Sequence, residues 1–401
     1  MAVETLADFY GLMRSTVPVR RALAEETLAS RPPTPDGVSR LREALSALEA
    51  IPVEATGQRL ELEQGRSIHV DLGYETEELR KDVLYLEEGE EALLADLAER
   101  HPGFPEELAV CVEALKRVFF QAFVSDRDGT VNNYCGRYAS SVQSTYNAVF
   151  LTRFARVRSR RSVILTSAPL VDIGIADMSV TPAGTFVLAG SKGREYLDAD
   201  GRRREHPIEL EKQLRLDTLN QRMDALLQAS GNEIFTLVGS GLQRKFGQTT
   251  IARQDIGGSV PSERSEQFMG EVRRLVRDLD PEEAFFRVED TGLDLEVILT
   301  VDEDGDESPR DFDKGHGVRF LDRDVPLTVE RGACLVCGDT ASDIPMLEAC
   351  LDLAPHTRAV FVTRDDELRD RVRSVLPETQ FVGEPDTLVA ALNVLARSGR
   401  G

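Results

Sequence analysis

The sequence predicts an α/β protein with a doubly wound, parallel-sheet (Rossmann-like) core, an inserted α+β unit and an N-terminal helical domain. Three observations carry this prediction. From Val118 onward, short apolar runs alternate with helical periodicity, the pattern of a parallel sheet covered on both faces. Between about residues 171 and 312 that rhythm gives way to several short strand patterns and two long helical ones. Before residue 116 the dominant signal is apolar residues at i, i+3, i+4 and i+7. The expected divisions are therefore 1–115 for the helical domain, 116–170 and 313–401 for the core, and 171–312 for the insertion.

In the first division, LADFYGLMRS, RLREALSALEA and ELRKDVLYLEEGEEALLADLAER read as amphipathic helices, with breakers at RPPTPDG and HPGFP. RLELEQGRSIHVDLG reads as a short hairpin. No chemistry is visible here, and the expected role is packing or homo-oligomerisation. In the core, strands are expected at 118–125, 162–167, 333–339 and 359–363, and helices near 142–157, 342–350, 366–375 and 386–397. In the insertion, TFVLAG, the Asp200-Gly201 hairpin, EIFTLVGSG, TTIARQ, FFRVED and LDLEVILTV read as strands, with helices at 209–228 and 262–278. The acidic run at 302–313 lacks the glycine a tight calcium loop needs at its sixth position and reads as a solvated turn.

Composition narrows the function. The 401 residues carry a formal charge of −22, with 48 basic against 70 acidic side chains, and the acid is spread along the chain. This argues against nucleic-acid binding and against docking on an anionic membrane. Six of the 48 basic residues are lysines, so each one repays inspection. Five cysteines, no signal peptide at MAVETLADFY and no apolar run near 18 residues point to a reducing cytoplasm. Cys334-x-x-Cys337 lies within an apolar strand pattern, without a second ligand pair, and reads as buried thiols.

Four polar elements punctuate the core. Asp126 and Asp128 end the run VFFQAFVSDRDGT, and Thr166 and Ser167 end VILTS. Lys314 opens a helical stretch in DFDKGHG, while Asp339, with Asp343 four residues on, ends ACLVCGD. Open α/β sheets bind ligands at the carboxyl ends of their strands, where three of these elements fall. Phosphoryl transfer needs a nucleophile, a proton donor for the leaving alkoxide, cations for the equatorial oxygens and a hard metal. Asp126 suits the nucleophile and Asp128 the general acid and base. Lys314 would keep Asp126 ionised and share the phosphate charge. Thr166 or Ser167 would donate to a phosphoryl oxygen. Asp126, Asp339 and a backbone carbonyl at Asp128 would offer oxygens to Mg²⁺. Asp343 would orient the metal site or Lys314, or else cap the following helix.

On these motifs residues 118–397 resemble the haloacid dehalogenase superfamily of phosphatases, whose motif favours Ser167 as the hydroxyl. The insertion falls where this superfamily carries its larger α/β cap. Within the superfamily the chain resembles trehalose-6-phosphate phosphatases. LAGSKGREYLDADGR matches that family's strand and acidic hairpin, with Lys192 replacing a histidine. QRKFGQTTIAR matches its substrate motif, placing Lys245 and Arg253, and LDLEVILT places Glu296. The resemblance implies a Mg²⁺-dependent phosphatase acting on trehalose 6-phosphate or a similar disaccharide phosphate, with Lys192, Lys245, Arg253 and Glu296 binding the sugar. Gln243 and Ile251 depart from the family pattern, and GDTASDIPML is closer to sucrose-phosphate and mannosyl-phosphoglycerate phosphatases. Those substrates are therefore the alternative, and a non-catalytic binding protein or scaffold on this fold is a further one.

Overall fold

A computed structural model describes residues 3–54, 57–62, 67–229, 231–255, 258–301, 310–325, 327 and 332–399. Its centre is an eight-stranded sheet. The strands run in the order Gln380–Val382, Arg358–Val362, Ala333–Gly338, Phe120–Ser125, Ser159–Leu165, Val187–Gly190, Glu195–Leu197, Arg203–Glu205. The first six are parallel and the last two add antiparallel. Phe120–Ser125 and Ala333–Gly338 are buried along nearly their whole length, as continuous apolar runs between two helical layers must be. From Phe120–Ser125 the chain winds outward one way and later returns to Ala333–Gly338 on the other side. That reversal is a topological switch point, and it opens a crevice at the carboxyl ends of the two strands.

TFVLAG, as the strand Val187–Gly190, and the hairpin around Asp200-Gly201 form as expected but belong to this core sheet, although their sequence lies within 171–312. A hairpin's turn residues set its own register; they do not say which sheet edge it will join. The rest of the insertion is built on a second sheet, Phe286–Asp290, Asp294–Val301, Gln248–Ala252 and Leu242–Lys245, with Arg310–Asp311 also pairing on Asp294–Val301, antiparallel throughout. The helices Leu210–Leu227 and Ser262–Leu279 each bury an apolar stripe, including Leu219 and Met223 on one and Phe268 and Val272 on the other. EIFTLVGSG is not a strand. Glu233–Thr236 makes a 3₁₀ turn that stacks Phe235 on Phe268 at 3.8 Å, and Gly239 and Gly241 take positive φ, which ends any extended run. The strand Leu242–Lys245 begins only after them. The acidic run at 302–313 lies largely outside the described residues.

The N-terminal part contains helices Leu6–Leu28, Pro35–Glu49, Gly73–Glu88, Glu90–Arg100 and Phe104–Leu115. The expected hairpin pairs Gly57–Glu61 with Ser67–Val70. This unit is tied to the core by buried charges. Arg20 Nε meets Asp82 Oδ2 at 2.8 Å, and Asp82 Oδ1 accepts from the amides of Thr145 and Tyr146. Lys81 Nζ lies 2.6 Å from Glu78 Oε1 and 3.0 Å from Asp386 Oδ2, and the Tyr146 hydroxyl donates to Asp386 Oδ1 at 2.5 Å. All five cysteines are free, buried thiols. Among the described residues no helix is long and apolar enough to cross a membrane.

Asp386 is fully buried; burial alone would raise its carboxyl, but the Lys81 charge together with hydrogen bonds from His101, Tyr146 and Lys81 holds the group below the usual carboxylate range. Lys81 is raised above its ordinary value, because Asp386 and Glu78 more than offset its own desolvation. The Asp386 contribution to stability is therefore fully present above about pH 4, the unfolded value, and is lost as pH falls from there toward the folded value. The Lys81 contribution is complete below about pH 10 and is lost only as pH rises through its folded value. Asp386→Asn should lower unfolding stability by about 3 kcal/mol at neutral pH, because it removes one of the two carboxylates, Asp386 and Glu78, that hold the buried Lys81 ammonium. Urea melts at pH 7 and pH 3 check this: the deficit relative to the unsubstituted chain should shrink at the lower pH.

Candidate active site

The register between the two central strands builds the site. Val124 lies opposite Val336 and Ser125 opposite Cys337, so the chains leave the sheet side by side as Asp126 and Gly338-Asp339. The Asp126 amide still donates to Cys337 O at 2.9 Å, which fixes the carboxylate at the crevice floor. The turn that follows needs Gly129. Its φ is +84°, and a Cβ there would stand 2.2 Å from Asp339 Oδ2. Thr130 closes the turn by donating its hydroxyl to Asp339 Oδ1 at 2.7 Å.

Lys314 enters from the first turn of the helix Lys314–Asp322, which Asp313 caps by accepting the His316 amide. Its Nζ lies 2.9 Å from Asp126 Oδ1 and 2.5 Å from Asp343 Oδ1. The other oxygen of Asp343 accepts from the amides of Asp339 and Thr340 at 3.0 and 2.9 Å. Asp343 thus faces Lys314 and holds the turn after the strand, while its side chain makes no capping hydrogen bond to the helix Ile344–Leu353 that follows.

Asp126, Asp339 and Asp343 bring carboxylate oxygens within 4.8 Å of one another. Burial, then the neighbouring carboxylates, push Asp126 up to about 6 and Asp339 up to about 9. Lys314 stays charged, since the pull of Asp126 and Asp343 exceeds its desolvation. One ammonium against three carboxylates, two of them buried and Asp339 half-buried, leaves an excess of negative charge, and an all-oxygen donor set of this kind suits a hard divalent cation. Asp128 adds no carboxylate oxygen to that group. Its side chain turns instead to Arg127 and to the Ser141 hydroxyl, which donates at 3.2 Å.

Asp126, Asp128, Thr166, Ser167 and Lys314 all line one cleft of about 250 Å³. Thr166 is buried, and its Oγ1 accepts from the Ala168 amide at 3.2 Å; Ser167 is half-buried on the wall. The opposite wall is the inserted sheet. Strand alternation with the observed pairing puts Gln243, Lys245, Thr250, Asp294 and Glu296 on one face. Of these, Gln243, Lys245, Asp294 and Glu296 line the cleft. Glu296 Oε1 is 3.6 Å from Lys245 Nζ and its Oε2 is 3.9 Å from Lys192 Nζ. Burial pushes Lys245 down, and repulsion from Lys192 adds to it, although Glu296 opposes both.

Arg253 is not brought to the cleft. It shares the parity of Thr249 and Ile251 and lies on the sheet's other face, against the Ser262–Leu279 helix. There it pairs with Glu266 at 2.6 Å and Asp290 at 2.5 Å and donates to Ser265 at 3.0 Å. Reading the sequence also missed Asp294, although its i, i+2 relation to Glu296 places the two on one strand face. Tyr134 and Tyr138, from the polar segment NNYCGRY, line the cleft from the core side.

The family model "Trehalose-6-phosphate phosphatase, C-terminal" matches residues 123–388, and its companion for the N-terminal helical bundle domain matches residues 5–99. A trehalose-phosphatase of Brugia malayi is 32% identical over 428 residues, covering 98% of this chain and 86% of its own. An α,α-trehalose-phosphate synthase [UDP-forming] 2 of Caenorhabditis elegans is 32% identical over 414 residues, 97% of this chain. The chain spans only 33% of that relative's length. Among solved structures, the C-terminal domain of Candida albicans trehalose-6-phosphate phosphatase superposes with a TM-score of 0.47 at 13% identity, over 72% of this chain and 96% of that one.

If the three carboxylates hold a divalent cation, Thr130→Val should weaken its binding by about 10- to 100-fold, the usual effect of removing a partner that orients a metal ligand. Calorimetric titration of the cation into the two proteins measures it. Equal affinities would show that Asp339 does not depend on the hydroxyl.

Proposed function

The chain belongs to the trehalose-6-phosphate phosphatase family, and we propose that it hydrolyses a disaccharide phosphate, trehalose 6-phosphate first among them, through an aspartyl-phosphate on Asp126. The observation that carries this reading is the buried Lys314 ammonium, shared between Asp126 and Asp343 beside Asp339. Nothing in the packing of a parallel sheet calls for such a group, and its desolvation is tolerable only because it does electrostatic work.

Asp126 is the nucleophile. Lys314 holds it anionic and leaves its second oxygen free to approach phosphorus. Asp128 gives its proton to the leaving sugar alkoxide; the resulting carboxylate then takes a proton from the water that attacks the aspartyl-phosphate. Ser167, with Thr166 beneath it, donates to a phosphoryl oxygen. Asp126, Asp339 and Asp343, with the Asp128 backbone carbonyl, would hold Mg²⁺, which when bound neutralises charge on the phosphoryl oxygens. The antiparallel part of the insertion acts as a cap that excludes water. Its Lys245, Glu296 and Asp294, with Lys192 behind Glu296, meet the sugar hydroxyls. Arg253 has no part in this reading. The second reading, a different sugar phosphate of the sucrose-phosphate or mannosyl-phosphoglycerate type, is favoured by Gln243 and Lys192, which alter the charge of the sugar wall.

Phosphate release from a panel of sugar phosphates with Mg²⁺ tests both readings. Trehalose 6-phosphate should give the highest kcat/KM, and Asp126→Asn should lower kcat at least about 10³-fold with the fold intact by circular dichroism. An inert chain would return the protein to the binding or scaffold class, and an Asn variant that keeps its rate would remove Asp126 as the nucleophile.

A further inference from the structure

The loop between the catalytic turn and the Thr145–Arg158 helix touches all three parts of the chain. On one side Asn133 donates its Nδ2 to Glu78 Oε1 at 2.8 Å, and Ser140 donates its hydroxyl to Glu75 Oε1 at 2.5 Å. Both glutamates stand on the N-terminal helix Gly73–Glu88. On the other side Arg137 donates to the Leu237 carbonyl at 2.9 Å and pairs with Asp255 Oδ2 at 3.3 Å, both in the insertion. Between these anchors the same loop supplies Tyr134 and Tyr138 to the cleft wall.

Burial separates this arrangement from an ordinary surface loop. Glu75 is 1% exposed, Arg137 4% and Asp255 7%. A buried charge that loses its partner is strongly destabilising, so the loop cannot drift from either anchor without penalty. The core holds the inserted sheet at the turn between Leu242–Lys245 and Gln248–Ala252, where Arg194 donates to the Gly247 and Leu299 carbonyls and Ser191 accepts from the Phe246 amide. Arg137 anchors the opposite end of those two strands, at Leu237 and Asp255.

We propose that Glu75 and Arg137 are positioning residues for sugar binding: the N-terminal helix, acting through this loop, sets where the cap rests over the cleft. The proposal rests on the phosphatase reading above. Neither residue touches Asp126, and Asp128 has its own partner in Arg127, so the phosphoryl chemistry stands apart from the cap's position. A substrate that needs the cap wall should feel the loss of either residue. A small aryl phosphate, whose leaving group needs no sugar contacts, should not.

The test uses the full chain with Glu75→Ala, Arg137→Met, Asp255→Asn and the double variant of the last two. Each single variant should raise KM for trehalose 6-phosphate about tenfold, within the usual range of coupling between sites, with little change in kcat. The double variant should be no worse than Arg137→Met alone. The kcat/KM for p-nitrophenyl phosphate should stay near that of the unsubstituted chain. Amide hydrogen exchange in 237–255 should quicken in Arg137→Met and in Glu75→Ala. A parallel loss on both substrates, or an unchanged KM with unchanged exchange, overturns the proposal. If the unsubstituted chain does not hydrolyse trehalose 6-phosphate, the functional reading fails instead. The exchange data alone then decide: quickened exchange in both variants upholds the coupling, and unchanged exchange rejects it.

Discussion

Three carboxylates converge at the carboxyl ends of two buried strands, and the arrangement is tolerable because the Lys314 ammonium stands among them. Its Nζ bonds Asp126 at 2.9 Å and Asp343 at 2.5 Å, and the group is almost wholly buried. Isolated charges are expelled from protein interiors or neutralised there, so each member of this cluster depends on the others. Much of the fold can be read as the means of assembling it. The strand register presents Asp126 and Asp339 together, Gly129 lets the turn approach Asp339 without a side chain, and a helix that begins only after the insertion delivers Lys314.

The same logic extends outward. The insertion leaves the core before Lys314 and returns at it, so the helix that supplies the cation begins where the inserted segment ends. The N-terminal helices are joined to the core by buried charges: Lys81 pairs with Asp386, and Asp82, itself paired with Arg20, accepts from the Thr145 and Tyr146 amides. Such pairs add less net stability than apolar packing would, but they specify one docking geometry, because any other leaves a buried charge alone. The Gly73–Glu88 helix supplies Glu75, Glu78, Lys81 and Asp82, and it faces both the core helix and the loop beside the cleft.

What was legible in the sequence is what local pattern encodes. The apolar runs before Asp126 and Asp339 announced strands by their length and their glycine turns, and the two long helices of the insertion announced themselves by their period. Asp126, Thr166, Ser167 and Asp339 were legible because they stand where such runs end, and Lys314 because lysines are scarce and it opens a helical pattern. Arg253 was misplaced because a motif match carries no information about which face of a strand a residue takes; its parity with Ile251 decides that. EIFTLVGSG was misread because an apolar run can also bury a single ring, as Phe235 does on Phe268. Contacts such as Thr130 with Asp339 and Lys81 with Asp386 join residues hundreds of positions apart, and no window along the chain contains both partners.

The central claim is that Lys314 and its carboxylate partners make Asp126 the atom donor to phosphorus. The most direct measurement is to quench the protein with borohydride during turnover of trehalose 6-phosphate and to map the reduced residue by peptide mass spectrometry. An acyl phosphate on Asp126 would be reduced to the homoserine side chain at that position, and the account predicts this product there and nowhere else. Reduction at another carboxylate, or none while phosphate is being released, would contradict it.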